Sequence, residues 1–396
     1  FLFLQYKTFT EYPYTKLTAK LISQKVKVSQ NGNRYTSLVF KGENITFKTI
    51  SSDIFKEKED GYFELTLKTS DVGFLDFIKG PKLKATEIRE LNKKDTLKQA
   101  VKEFITSQHT DERIKELYLN LFLNSEVSSE VDDFIQSYGL GAFFALSGLN
   151  VALLTGFMFL LFSPLFAYFQ DRYFPYVNRT AWIVSASLLF LLFYAYMTDF
   201  TPSFIRAVVS AFALFYLSLR GENLLGGKTL IAAVVVCISI FPAFLFSIGF
   251  WLSVCGVLMI YIFTKNTEFK NDTTSYFALS IWLFFAMQPI LHYLFGIFTG
   301  AHLLNPIFGV IFDVFYPLSF VLHLLNIGWL LDDMLISFIK SAGELARYEF
   351  KTPTWFFAIY LFFALFAVFK KEWFLMFNIT IAVYGISAGI YLFSGI

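Results

Sequence analysis

The chain has 396 residues, of which 56% are hydrophobic and only 16% charged, with a mean hydropathy of +0.55. Soluble domains carry roughly 25% charged residues, and a soluble fold of this length could not bury so much apolar surface, so the composition excludes one and points to an integral membrane protein. The net charge of +2 hides an asymmetry: residues 1–138 hold 21 Lys/Arg and 20 Asp/Glu, leaving 12 and 11 for the other 258.

The chain opens at Phe1 rather than Met, and residues 1–9, with Phe1-Leu-Phe-Leu4, read as the exit of a transmembrane helix rather than as a signal peptide. Residues 14–90 then alternate with period two. In Tyr62–Lys68, Phe63, Leu65 and Leu67 face one way while Glu64, Thr66 and Lys68 face the other. Similar runs fall at 17–28, 34–41, 44–50 and 82–90. Asn31-Gly-Asn33 between the first two is a hairpin signal. Asp71–Ile78 reads as a short helix. Together these predict that residues 10–92 form a small OB-like β-barrel, with an open sandwich as the alternative. Segment 16–94 carries 16 basic and 10 acidic residues, an excess that fits a polyanion partner or a plain solvated surface equally well.

Residues 93–138 predict three amphipathic helices at the membrane surface. Leu97, Val101, Phe104 and Ile105 form a stripe behind Asp95; Ile114, Leu117, Tyr118, Leu121 and Phe122 form one behind Asp111. Val131, Phe134, Ile135 and Tyr138 form the third, behind Ser128 or Ser129.

Residues 139–396 read as a helical transmembrane domain. Apolar stretches of spanning length fall near 140–163, 180–197, 203–219, 227–242, 244–264, 276–298, 303–322, 354–369 and 373–394. The fold class is therefore an α-helical polytopic membrane protein with a small N-terminal β domain. Loops 170–179, 220–228 and 265–272 carry Lys or Arg while the intervening turns carry none. By the positive-inside rule the charged loops are cytoplasmic and the β domain is extracytoplasmic. Parity then requires that 302–353 cross twice, or dip in and return.

Several residues in this apolar context carry polar groups that need an explanation. Gly139–Asn150 reads Gly-Leu-Gly-Ala-Phe-Phe-Ala-Leu-Ser-Gly-Leu-Asn. Its Ser147, Gly148 and Asn150 can line a polar path or act as packing glue between helices. Arg206 follows the helix-opening Thr201-Pro202; it is a functional candidate, or else it pairs with Asp199 or snorkels to the surface. Asp313 is judged likewise. Gly249 and Ser253 lie one turn apart and read first as a close-packing surface. Asn305-Pro306 and Pro317 break a helix and free backbone carbonyls, which must then face protein or a cavity. Cys237 and Cys255 lie in apolar segments and read as small hydrophobes. His109, His292, His302 and His323 lack metal-ligand spacing. No phosphate-binding loop or catalytic constellation stands out, so neither an enzyme nor a cofactor is predicted.

On these segments the chain resembles the ComEC competence family, the inner-membrane channel of bacterial natural transformation. Gly139–Val151 is similar to that family's helix Gly-Leu-Ala-His-Leu-Leu-Ala-Ile-Ser-Gly-Leu-His-Val, and Leu121–Glu126 to its approach. Pro202-Ser203, Arg206-Ala207, Pro242, Gly249-Phe250 and Leu252-Ser253 resemble a second stretch. Asn305-Pro306 and Pro317 look like the later Pro-broken helices. There are departures: the family's motif histidines are Ala142 and Asn150 here, and its usual Asp before Gly-Phe is Ser247. The sequence ends at Ile396 in a membrane helix, resembling a form without the C-terminal metallo-β-lactamase-like domain that many members carry.

The resemblance implies a channel for single-stranded DNA, partnered by a periplasmic DNA receptor and cytoplasmic DNA-processing proteins. Ser147, Asn150, Arg206 and Ser253 are then candidates for the lining, and Gly148, Gly249, Asn305, Pro306 and Pro317 for breaking or packing helices. The alternative is a small-solute or lipid transporter whose extracytoplasmic domain is an interaction module.

Overall fold

The computed structural model describes residues 6–7, 9–10, 12–28, 34–42, 46–51, 62–69, 72–91, 96–145, 148–173, 176, 179–219, 227–269, 271–343, 345 and 347–394. The chain divides into two compact units: Phe1–Phe104 with Phe241–Phe246, and Ile105–Ile240 with Ser247–Ile396.

The first unit is built on β1 (Tyr14–Val28), β2 (Arg34–Lys41), β3 (Thr46–Ser51), β4 (Tyr62–Lys68) and β5 (Ala85–Leu91), with α1 (Phe74–Lys79) between β4 and β5. All four ladders are antiparallel, and Val28 pairs with Arg34 across the β1–β2 reversal. The turn Asn31–Asn33 lies outside the described residues. The period-two pattern does its expected work. Leu21, Leu38, Phe40, Phe47, Phe63 and Leu65 are fully or almost fully buried on one face, with Phe77 of α1 packed among them.

The expected OB-like barrel is not formed. The five strands make a sheet in the order β3-β2-β1-β4-β5, and no ladder among the described residues joins the two outer strands. One isolated parallel bridge, Lys48 to Lys82, links β3 to the segment before β5. A barrel needs a continuous staggered ladder around its whole circumference. Alternation specifies which face is buried, and an open sheet meets that demand as well as a closed one.

The second unit is helical. Helix α2 (Thr96–Thr106) belongs to the first unit as far as Phe104, and the amphipathic entry of the second unit is α3 (Glu112–Leu123) and α4 (Ser129–Ser137). Asp111 caps α3 by accepting from the Arg113 amide at 2.9 Å, and the hydrogen-bonded Arg113 guanidinium holds its carboxyl down at about 2. The α3 stripe is buried as expected, as are Val131, Phe134 and Ile135 of α4. The α2 stripe is buried only in part: Ile105 is buried and Val101 half-buried, but Leu97 and Phe104 are exposed and Lys98 is buried. Asp95 lies outside the described residues.

The apolar segments then form α5 (Gly141–Phe144), α6 (Gly148–Tyr173), α7 (Arg179–Met197), α8 (Pro202–Leu219), α9 (Gly227–Ile240), α10 (Ile248–Asn266), α11 (Asp272–Leu294), α12 (Asn305–Leu324), α13 (Asp332–Ala342), α14 (Thr354–Ala367) and α15 (Lys371–Ser394). Among the described residues, six helices are long and apolar enough to cross a membrane, and three shorter apolar helices accompany them. This is the architecture of a multi-pass membrane protein. Helices α10, α11, α14 and α15 share one core. There, Ala286, Ala364 and Ala367 let the backbones approach, and Tyr360 donates to the Ala286 carbonyl at 2.5 Å.

Two short strands, β6 (Ile297–Thr299) and β7 (Arg347–Glu349), pair antiparallel with Thr299 opposite Arg347. The segment between them contains α12 and α13, so it leaves and returns to one place.

The first span does not start at 140. Tyr138 ends α4, Gly139 turns the chain at φ +66°, and α5 intervenes before α6. This turn is clasped by the segment that runs from the end of β6 to the first residue of α12. Thr299 donates to the Ser137 carbonyl, the His302 Nε2–H to Gln136 at 2.9 Å, and Asn305 to Gly139 at 3.3 Å. A Cβ at Gly139 would lie 2.6 Å from Asn305 Nδ2 and 2.8 Å from His302 Cδ2. Left-handed backbone alone costs a non-glycine residue about 1–2 kcal/mol. Gly139→Ala should therefore lower the apparent Tm of the purified protein by about 4 °C or more. Gly141→Ala, whose Cβ meets nothing within 4 Å, should leave it unchanged. Equal melting of the two variants would show that the clasp is not needed.

Candidate functional site

Arg206 sits in the second turn of α8. That helix is opened by Pro202, whose missing N–H belongs to the unpaired first turn and whose ring pre-sets the helical φ. The turn before it is unusual. Asp199 and Phe200 both adopt positive φ, at 53° and 55°, and Thr201 Oγ1 donates to the Thr198 carbonyl. This turn reverses the chain sharply between α7 and α8.

The Arg206 side chain points into protein, and the residue is only 2% exposed. Its Nε and Nη2 both donate to Ser253 Oγ, at 3.0 and 2.6 Å, and Nη1 donates to Ser210 Oγ at 3.4 Å. Among the described residues no carboxylate pairs with it; its partners are hydroxyls, while Asp199 stays in the α7–α8 turn. Gly148, the first residue of α6, lies against it: a Cβ there would be 3.6 Å from Nη2 and 3.9 Å from Ala207 Cβ. Cys237 of α9 is fully buried and close enough to interact electrostatically with the guanidinium. Four helices thus supply the surroundings of one buried cation. One of them presents its N-terminus, the positive end of its dipole. Two positive groups are held together in an apolar setting with neutral acceptors around them, an arrangement that favours an anion between them.

Asn150 is fully buried two residues further along α6, and its side chain meets the Tyr316 hydroxyl. Tyr316 and Tyr194 hydroxyls stand 3.4 Å apart, and Tyr194 donates to the Phe122 carbonyl at 2.5 Å. The start of α6 is therefore tied to α12, α7 and α3 by a buried polar chain. Ser147 lies outside the described residues. Gly249 is exposed, with only Ser247 Oγ near its Cβ position at 4.0 Å, and Ser247 caps α10 by accepting from the Phe250 amide. Asn305 and Pro306 form the first turn of α12, and Pro317 lies inside it. Asp313 accepts a hydrogen bond from Tyr276 of α11.

The structure thus brings together Gly148, Arg206 and Ser253, with Asn150 nearby on α6; Asn305 belongs to the Gly139 clasp. It also reveals pairings that residue spacing hides. All four histidines are buried in hydrogen-bond networks. His292 Nδ1 lies 2.8 Å from the Tyr384 hydroxyl, which is 2.7 Å from Thr352 Oγ1. His109 meets both Asp332 and His323. These partners are 92 to 223 residues apart, so no local signal announces them. Among the described residues no group of three or more His, Cys, Asp or Glu is placed to hold a metal ion.

No curated protein and no solved structure matches the chain. A family model described as "Competence protein" matches residues 123–391, which include the clasped turn at Gly139, Asn150, Arg206, Ser253 and the whole of α12. With more than half of the 396 residues matched, the chain belongs to the competence protein family.

Proposed function

We propose that the protein is an inner-membrane channel that passes single-stranded DNA into the cytoplasm during natural transformation. Membership of the competence family supports this reading. The observation that carries it is Arg206, a buried guanidinium held by hydroxyls beside a helix N-terminus. Placing an arginine at the centre of a bilayer costs about 2.5–3.5 kcal/mol on insertion scales, and an internal carboxylate would be the usual way to offset this. A neutral hydroxyl shell engages three of the five N–H donors while leaving the charge available to a phosphate of the strand.

The first unit has features suited to meeting the strand first. Lys16, Lys48, Lys68, Lys82 and Lys84 are exposed, and sheet pairing gathers several of them: Lys48 bridges Lys82, and Lys68 donates its amide to the Lys84 carbonyl. Tyr12 and Tyr14 beside them are 65% and 55% exposed, offering rings on which bases stack. The alternation of loop charge supports an extracytoplasmic position for this unit. The strand would then be handed over by a periplasmic receptor and taken up by cytoplasmic DNA-processing proteins.

Three outcomes follow. Arg206→Gln should leave a stably inserted protein whose transformation frequency falls by about two orders of magnitude, the scale of a lost buried charge contact of about 3 kcal/mol. Arg206→Lys should keep part of the activity, and adding Asp199→Leu should not restore Arg206→Gln. Normal transformation by stably expressed Arg206→Gln would remove this residue from the path. Next, full-length protein in nanodiscs should bind single strands without sequence preference, with affinity falling steeply with salt because phosphate contacts release counterions. Lys82→Glu with Lys84→Glu should flatten that salt slope; an unchanged slope would leave the sheet as an assembly module. Finally, a membrane-impermeant thiol reagent applied to whole cells should label cysteine at Lys84 and not at Glu268. The reverse pattern would invert the orientation.

A further inference from the structure

Gln108 and His109 occupy the turn between α2 and α3, His323 the last turn of α12, and Asp332 the first position of α13. The fold draws them into one buried chain. His109 Nδ1 lies 2.9 and 3.0 Å from the two Asp332 oxygens, and His109 Nε2 lies 2.9 Å from His323 Nε2. His323 Nδ1 is 2.7 Å from the Ser319 carbonyl. Gln108 braces the chain, donating to the His323 carbonyl at 3.1 Å and accepting from the Gly328 amide at 2.9 Å.

We infer that Asp332, His109 and His323 form a buried proton-binding site, which holds one proton between the Asp332 carboxylate and the His109 ring and frees the 108–109 turn from α12 when it takes up another. This inference does not rest on the DNA-channel reading.

The argument is a count of hydrogens. A carbonyl only accepts, so His323 Nδ1 carries a hydrogen and donates it to Ser319. A neutral His323 then offers a lone pair at Nε2, so the hydrogen in the ring-to-ring gap comes from His109. His109 Nε2 is therefore a donor. What remains is the gap between His109 Nδ1 and Asp332, which needs one more hydrogen. Placed on His109 it makes an imidazolium–carboxylate pair; placed on Asp332 it makes a neutral acid and a neutral ring. Either way the trio is uncharged and every contact is made. One proton fewer leaves two lone pairs face to face. One more, on His323, sets N–H against N–H between the rings; at the carboxyl the second oxygen, also within reach of His109 Nδ1, can still accept, so the ring-to-ring contact is the one that fails. Buried polar groups without partners each cost about 1–3 kcal/mol, so the contact should open rather than persist.

The surroundings fit this role. The His109 side chain has no exposure, while that of Asp332 is 12% exposed, which gives protons one route in. Burial raises the Asp332 carboxyl above its ordinary range, against the hydrogen bond from His109, and Asp333 and Asp111 add to the rise. Asp111 is itself engaged by Arg113 at 2.7 Å. On the α3 side Tyr118 stacks on His109 with centroids 4.7 Å apart, and its buried hydroxyl has no hydrogen-bond partner among the described residues. Burial, followed by the charge of Asp332, pushes the Tyr118 ionisation up, so it stays neutral. A metal between the two Nε2 atoms is the competing occupant. Nitrogens about 2.0–2.1 Å from a tetrahedral zinc stand about 3.3 Å apart. The observed 2.9 Å is hydrogen-bond spacing.

Hydrogen exchange read by mass spectrometry on the full-length protein in nanodiscs tests this, with rates corrected for their intrinsic pH dependence. Peptides covering 107–111 and 324–331 should lose about tenfold in protection between about pH 7 and about pH 4, the range through which a buried histidine charges. A peptide from α14 should not change, which separates local opening from unfolding. His323→Gln keeps an acceptor for His109 but cannot take the second proton, so its protection should not depend on pH. Asp332→Asn should be unprotected in these peptides at both pH values; if it unfolds altogether, His323→Gln decides. Flat protection in the unmodified protein, or an undiminished fall in His323→Gln, overturns the inference. So does one equivalent of transition metal per chain whose removal by EDTA opens the same peptides, because the site is then a metal centre.

Discussion

An apolar solvent leaves a buried polar group nowhere to turn except to another part of the protein, and the second unit is organised by that constraint. In water a stray hydroxyl or ring nitrogen is satisfied at once; in hydrocarbon each one left over costs several kcal/mol. The polar side chains of the apolar helices accordingly seek each other or backbone carbonyls. Tyr360 reaches Ala286, Thr352 reaches Pro289, Tyr194 reaches Phe122, and His292 reaches Tyr384. These bonds join elements far apart in sequence. They fix helix positions that apolar packing, which has no direction, would leave free to slide.

The same constraint explains the break at 137–150. A turn that exposes the carbonyls of Gln136, Ser137 and Gly139 is tolerable only if something covers them. His302, Thr299 and Asn305 do so from the segment that runs from the end of β6 to the first residue of α12. The β6–β7 pair holds that segment in place, and the Arg347–Asp133 ion pair adds a tie from β7 to α4. The start of α6, with Gly148 and Asn150, is therefore positioned by a frame outside its own helix. That is what a site beside Arg206 requires, because a helix free to rotate would swing Gly148 away from the guanidinium.

How much of this was legible follows from the range of each signal. Period-two alternation named the strands and the buried face, since Phe63, Leu65 and Leu67 each report their own environment. It did not report closure, which depends on a ladder between strands distant in sequence, and the barrel expectation failed there. Apolar runs located the membrane helices but carried the first span back to 140, across the α5–α6 break, and the small residues at 139–150 left breaking and close packing as alternatives. Arg206 was visible because an arginine among apolar residues is conspicuous wherever it points. Its hydroxyl partners were not. Ser253 reads first as packing and joins Arg206 as a lining candidate only through the family resemblance, and Ser210 lies one turn along the same helix as Arg206 without any mark to distinguish it. The histidines were the larger omission. Metal-ligand spacing is a local test, and His109, His323 and Asp332 meet across more than two hundred residues.

The contrast between the two charged sites shows how the proposed functions would differ. At Asp332 the chain supplies its own counter-charge, so the site is neutral as it stands and can change only by gaining or losing a proton. At Arg206 it supplies none among the described residues. A charge pair about 4 Å apart is worth about 4 kcal/mol at an effective dielectric of 20. A resident carboxylate would claim that energy permanently, and a passing phosphate would have to displace it. Hydroxyls engage three of the N–H groups without cancelling the charge, so the attraction stays available, yet one contact of this size is too weak to hold a strand in place. A channel for a polyanion needs both properties: a cation strong enough to draw each phosphate in and few enough of them that the strand moves on.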